Sequence, residues 1–160
     1  MPALGWVESS TVSQAMRGGR WLYPAIEAVH IVGFALLVGG ALLFDLRVLG
    51  ASRTLNAQAL SRLLLGAARV GFAIAAPAGL LLFSADPVGL ATNPALQVKL
   101  GLIGLAVANI AFFHYRAWPL LGGGSDPAHG AAPVAARASA LLSIIVWLAV
   151  IGCGRLIAYV

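Results

Sequence analysis

Apolar residues fall into four long runs, near 22–45, 62–84, 95–117 and 136–159, separated by turn-forming or charged residues. Each run has about the length that a hydrocarbon layer of about 30 Å demands of a helix. The pattern predicts an all-α polytopic membrane protein, an antiparallel four-helix transmembrane bundle forming a single domain over residues 1–160. The surface segment 1–20 carries Glu8 and several polar residues and has no apolar core long enough for a cleavable signal. Its weak amphipathic pattern at Val12, Ala15 and Met16, broken by Gly18 and Gly19, predicts a short helix lying at the membrane interface.

Local chemistry punctuates the runs. Pro24 suits a first helical turn, where its missing N–H costs nothing, and Asp45-Leu46-Arg47 closes the first span. The connection 48–61 is polar enough to be surface, and Arg62 and Arg69 stand in the first turns of the second span. That span carries Ala67, Gly71, Ala75 and Gly79 at four-residue spacing, a smooth face that a neighbouring backbone can approach closely, and Pro77 should bend it. Asp86-Pro87 stops it, and Asn93-Pro94 opens the third span with a capping residue followed by proline. The third span has its own small face at Gly104 and Ala108, and holds Asn109 in its second half. The loop 120–133, with Gly122-Gly123-Gly124-Ser125-Asp126-Pro127 and His129, is expected to be flexible and solvated. The fourth span places Trp147 near mid-membrane.

Composition narrows the class. With 61% hydrophobic and 9% charged residues, the chain is too apolar for a soluble domain. The net charge of +5 comes from Arg and Lys that mostly flank apolar runs, which matches lipid headgroups and gives no nucleic-acid motif. The single cysteine, Cys153, lies in the last apolar run, so there is no intramolecular disulfide and no thiol pair to hold zinc. Arg17, Arg20, Lys99 and Arg155 fall on one side of the membrane; Arg47, Arg53, Arg62, Arg69, Arg116 and Arg137 fall on the other. Six against four places the first and third loops in the cytoplasm and both termini in the periplasm.

Ionisable residues in the spans are the candidate chemistry, because such groups are costly in hydrocarbon. In an antiparallel bundle Glu27, His30, Lys99, Arg155 and Tyr159 share an outer layer. Asp45, Arg69 and His114 share an inner one, with Arg47, Arg62 and Arg116 near them. The outer layer has two readings. In one, Glu27 pairs with Lys99 or Arg155 and His30 hydrogen-bonds within the bundle, fixing helix register. In the other, Glu27 and His30, three residues apart on one face, offer a carboxylate and an imidazole to a metal, a haem or a proton path. Arg155 would then match an anionic group of the ligand. The inner layer has the character of interfacial anchoring.

Haem b is the first cofactor to test. His30 lies roughly 10 Å below the outer end of its helix and His114 roughly 30 Å along the third, so the two cannot flank one iron within one chain. Both methionines, Met1 and Met16, precede the first span. A haem would need His30 as sole protein ligand, or a second ligand from another chain. No Gly-rich phosphate loop, nucleophile motif or paired carboxylate site indicates an enzyme.

The pattern Ile26-Glu27-Ala28-Val29-His30-Ile31-Val32-Gly33, with Asp45-Leu46-Arg47-Val48-Leu49-Gly50, Asn93-Pro94-Ala95-Leu96-Gln97-Val98-Lys99, Phe113-His114 and Gly154-Arg155-Leu156-Ile157-Ala158-Tyr159, resembles an uncharacterised family of small bacterial four-helix integral membrane proteins. That resemblance covers most of the chain and implies a multi-pass protein of the bacterial inner membrane, without naming an activity. A more distant likeness, His followed by Gly-Gly spacing on the first helix, is to CopD-like copper-resistance membrane proteins, and implies periplasmic metal handling. Three functions follow as expectations: metal, haem or proton handling at the outer layer; a non-catalytic assembly subunit associating through the smooth faces of the second and third helices; or a small oligomeric permease.

Overall fold

A computed structural model describes residues 2–51, 57–117 and 132–160. Their helices are α1 (Pro2–Glu8), α2 (Thr11–Gly18), α3 (Leu22–Leu49), α4 (Ala57–Ala85), α5 (Pro87–Thr92), α6 (Pro94–Phe112) and α7 (Val134–Leu156). A π-helical turn over Phe113–Ala117 continues α6. No strand occurs among the described residues. Leu22–Leu49, Ala59–Ala85, Pro94–Arg116 and Val134–Leu156 are each long and apolar enough to cross a membrane. The protein is an all-α four-helix bundle of membrane-spanning helices. Arg53 and most of the 120–133 loop, His129 included, lie outside the described residues.

The expected punctuation sits where the helices turn. Asn93 caps α6 by accepting from Leu96 N–H at 3.1 Å, with Pro94 opening the helix. Asp86 accepts from Gly89 N–H at 3.0 Å and starts the short α5, an element the apolar pattern did not reveal. The first span outruns its expected end by a turn because Gly50, at φ 108°, takes the left-handed conformation that closes a helix. There the N–H groups of Gly50 and Ala51 donate to Arg47 and Leu46 carbonyls. Two short helices, not one, precede the first span: α2 lies against α4, and α1 against α5. Arg17 of α2 ties them together. It donates to the Ala85 carbonyl at 3.2 Å and the Glu8 carbonyl at 2.7 Å, and lies 3.7 Å from the Glu8 carboxylate. A cation on the last carbonyl of α4 matches the negative end of that helix.

The closest seam in the bundle is between α3 and α4, and it is made of missing side chains. A Cβ on Gly33 would meet Ala75 N at 2.7 Å, and one on Gly40 would meet Leu64 O at 2.6 Å. A Cβ on Gly71 would collide with the backbone of Leu37 and Gly33. The small face expected on the second span is therefore consumed inside the chain, with Gly71 and Ala75 buried against α3, and is not free to bind another subunit. On the third span Gly104 and Ala108 remain exposed.

The other face of α3 meets α7, and α7 in turn packs on α6. Val38, Ala106, Val146, Trp147 and Val150 form the central cluster, with Phe34, Leu37, Leu102 and Ile103 around it. Nearer the end of α3, Phe44, Leu64, Phe113 and Ala136 make a second cluster, in which the Phe44 and Phe113 rings meet edge to face at 5.5 Å. Large apolar side chains such as Ile31, Val32, Leu63, Leu80, Ile145 and Leu148 point outward. The buried set is enriched in Gly, Ala and Ser, as expected where lipid is as apolar as leucine and association depends on close packing.

Gly71→Ala is expected to destabilise the bundle by about 1–3 kcal/mol through overpacking at this seam. Gly66→Ala, at a position with nothing within 4 Å of the added Cβ, should leave stability unchanged or slightly raised. Denaturant unfolding in mixed micelles compares the two, and equal stabilities would contradict the seam.

Candidate functional site

The seam residues of α3 recur at helical spacing, His30, Gly33, Leu37, Gly40 and Phe44, while Phe34, Val38, Ala41 and Asp45 turn toward α7. His30 thus faces α4. Its Nδ1 lies 2.8 Å from the Ala75 carbonyl oxygen. A carbonyl only accepts, so Nδ1 carries the proton and, in the neutral ring, Nε2 keeps its lone pair. Gly79, one turn beyond Ala75, makes room for the imidazole: a Cβ there would stand 3.0 Å from His30 Cε1. Phe34 stacks on the ring from the same helix, with centroids 6.2 Å apart and an interplanar angle of 18°.

Phe34 links this histidine to the rest of the outer layer. Its ring meets Trp147 edge-on at 6.2 Å, and Lys99 Nζ stands 5.8 Å from its centroid. Lys99 also faces α7, where a Cβ on Gly154 would lie 3.5 Å from Nζ. His30 and Lys99 therefore approach one aromatic ring from two helices. Arg155 and Tyr159 make a separate pair: the guanidinium donates to the phenol oxygen at 2.6 Å and lies 4.9 Å from the ring centroid. Glu27 is exposed and makes no hydrogen bond or ion pair among the described residues. The expected pairing of Glu27 with Lys99 or Arg155 is absent among the described residues.

The inner layer is likewise divided. Asp45 is 7% exposed, and Ser143 of α7 is the polar side chain that faces it. One turn earlier on α7, Ser139 donates to Asn109 Oδ1 at 2.8 Å, and Asn109 Nδ2 donates back to the Ser139 carbonyl at 3.0 Å. Arg62, Arg69, Arg116 and His114 are exposed, and His114 Nδ1 lies 3.1 Å from the Ile110 carbonyl. Asp45 and Arg69 are not brought together as an ion pair. Ser143, which faces the buried acid, and the Asn109–Ser139 pair one turn along α7 were not grouped from the sequence. The available signal was two serines four apart in an otherwise apolar run.

Lys99 and His114 lie fifteen residues apart on α6 and its continuation, about 22 Å at helical rise. Lys99 shares Phe34 with His30, so the two histidines sit at opposite ends of the bundle and cannot bind one iron. Among the described residues no three His, Cys, Asp or Glu side chains converge as a metal-ligand set. Comparison of the chain with protein-family models, with curated proteins and with solved structures finds no match.

The reciprocal Asn109–Ser139 contact should hold α6 to α7. Asn109→Ala and Ser139→Ala are each expected to lower stability, with a double-mutant coupling of about 0.5–2 kcal/mol, the range for hydrogen bonds between membrane helices. A coupling of zero would show that the pair is replaceable by lipid or by backbone partners.

Proposed function

We propose that the protein is a small integral inner-membrane subunit that uses His30 to ligate a haem completed by a partner chain. The observation that carries this reading is the Nδ1 contact with the Ala75 carbonyl. Metal-bound histidines almost always donate their second ring N–H to a carbonyl or carboxylate, which fixes the tautomer and aims Nε2 at the metal. Here that arrangement is built into the α3–α4 seam, with Gly79 shaped to the ring.

The donor set decides between cofactors. An enclosed transition-metal ion needs more ligands than converge here, whereas a haem would need His30 and one residue of a partner chain. Bound in this way, a haem supplies one-electron chemistry. His30 would hold it, the stacked Phe34 would limit water at the ring, and Arg155, at the same end of the bundle, would offer a guanidinium to a propionate. The exposed small face of α6 at Gly104 and Ala108 supports close association with another membrane helix. The charge asymmetry of the loops supports a periplasmic position for this end and for both termini. Resemblance to small bacterial membrane proteins is compatible with this placement.

The test is an optical spectrum and metal analysis of protein extracted gently from its own membranes. A Soret band is expected, lost in His30→Ala, retained in Glu27→Gln, and weakened or shifted in Gly79→Ala, whose methyl displaces the imidazole. Colourless protein, or a band indifferent to His30→Ala, would sink the reading and favour a purely structural assembly subunit.

A further inference from the structure

Asp45 presents a different problem from His30. The two lie fifteen residues apart on α3, about 22 Å at helical rise, with the apolar cluster of Val38, Ala106, Val146, Trp147 and Val150 between them. Asp45 is more than nine-tenths buried, and its Oδ2 is fully enclosed without a hydrogen-bond partner. An ionised carboxylate in such a place is among the costliest groups a protein can bury unless a cation or a proton accompanies it.

No cation of the chain is paired with it among the described residues. Arg47, two positions along the same helix, leaves α3 about 200° around the axis from Asp45. On α4, Arg62 and Arg69 are exposed; on α6 and its continuation, His114 and Arg116 are exposed, and Lys99 is engaged at the far end with Phe34. On α7, Arg137 is exposed and the group facing Asp45 is the uncharged Ser143. A metal cation would need a shell of oxygens, yet Ser139 and Asn109 are already committed to each other. A proton needs none.

We propose that Asp45 is an intramembrane proton-binding site, with Oδ2 as the oxygen that takes the proton and the side of the membrane at which α3 ends as its source. Asp45 lies four residues from Leu49, the last residue of α3, about 6 Å at helical rise. The step is a simple transfer from water to a carboxylate, giving a neutral acid and requiring no other reactant. Val38, Val146, Trp147 and Val150 make the α3–α7 contact apolar, and release of the proton leaves a charge that draws water between the two helices.

Infrared spectroscopy of the full chain in lipid tests this directly, because the chain has only five acidic side chains. Isotope-labelled aspartate in an Asp86→Asn, Asp126→Asn background leaves Asp45 as the sole labelled acid. The expected result is a labelled protonated-carboxyl band that shifts in D2O, titrates reversibly with pH, and is lost in Asp45→Asn, a near-isosteric neutral change. With the same aspartate label, Glu8→Gln and Glu27→Gln should leave it intact. A labelled group that stays a carboxylate across the whole pH range of the folded bundle would overturn the proposal. So would a carboxylate band that answers to sodium concentration and not to pH. Because the readout is Asp45 itself, it is independent of whether His30 binds a haem.

Discussion

Everything at the outer end of this bundle depends on how closely the α3 and α4 backbones approach. Gly33, Gly40 and Gly71 remove the side chains that would hold the helices apart. In a bilayer this approach is not driven by excluding apolar surface from water, since lipid is an equally good apolar partner; it relies on dispersion contacts that only close packing provides. The same approach brings a carbonyl of α4 within 2.8 Å of an imidazole on α3. A histidine on a more distant pair of helices would find no carbonyl of the neighbouring helix within reach. Packing and site chemistry are thus one feature.

Polar groups inside the bundle are distributed by what they can be paired with. Asn109 and Ser139 satisfy each other across α6 and α7, so they can sit buried at little cost. Arg155 and Tyr159, Arg62, Arg69 and Arg116 are left at the surface, where headgroups and water solvate them. Lys99 is an intermediate case, its ammonium placed against the face of Phe34. Asp45, faced by Ser143 but with its Oδ2 enclosed and without a partner, fits none of these arrangements.

The N-terminal segment shows how an interfacial element can be integrated into a membrane fold. Ser13 and Met16 of α2 are buried, and Arg17 satisfies the end of α4 while holding α1 through Glu8. Glu8, Met16, Arg17, Arg20, Tyr23 and Asp86 border an open cleft of about 750 Å³ beside the start of α3 and the end of α4. The two helices α1 and α2 cap the bundle, tied to it by backbone acceptors.

What the sequence by itself determined was whatever follows from length and local chemistry. Four runs long enough to cross hydrocarbon must be helices, since each backbone polar group has to be satisfied within its own segment. Asn93-Pro94, Asp86-Pro87 and Gly18-Gly19 set ends that any neighbour would leave in place. His30 stood out because an imidazole in an apolar run is conspicuous wherever it points. Tertiary structure decided the rest, because the direction a residue faces depends on which helix lies beside it. Glu27 and His30 are three residues apart, yet the α3–α4 seam takes one inward and leaves the other exposed. Asp45, near a helix end, had the look of an anchor until α7 covered it. Ser139 and Ser143 gained meaning only when Asn109 and Asp45 were found opposite them.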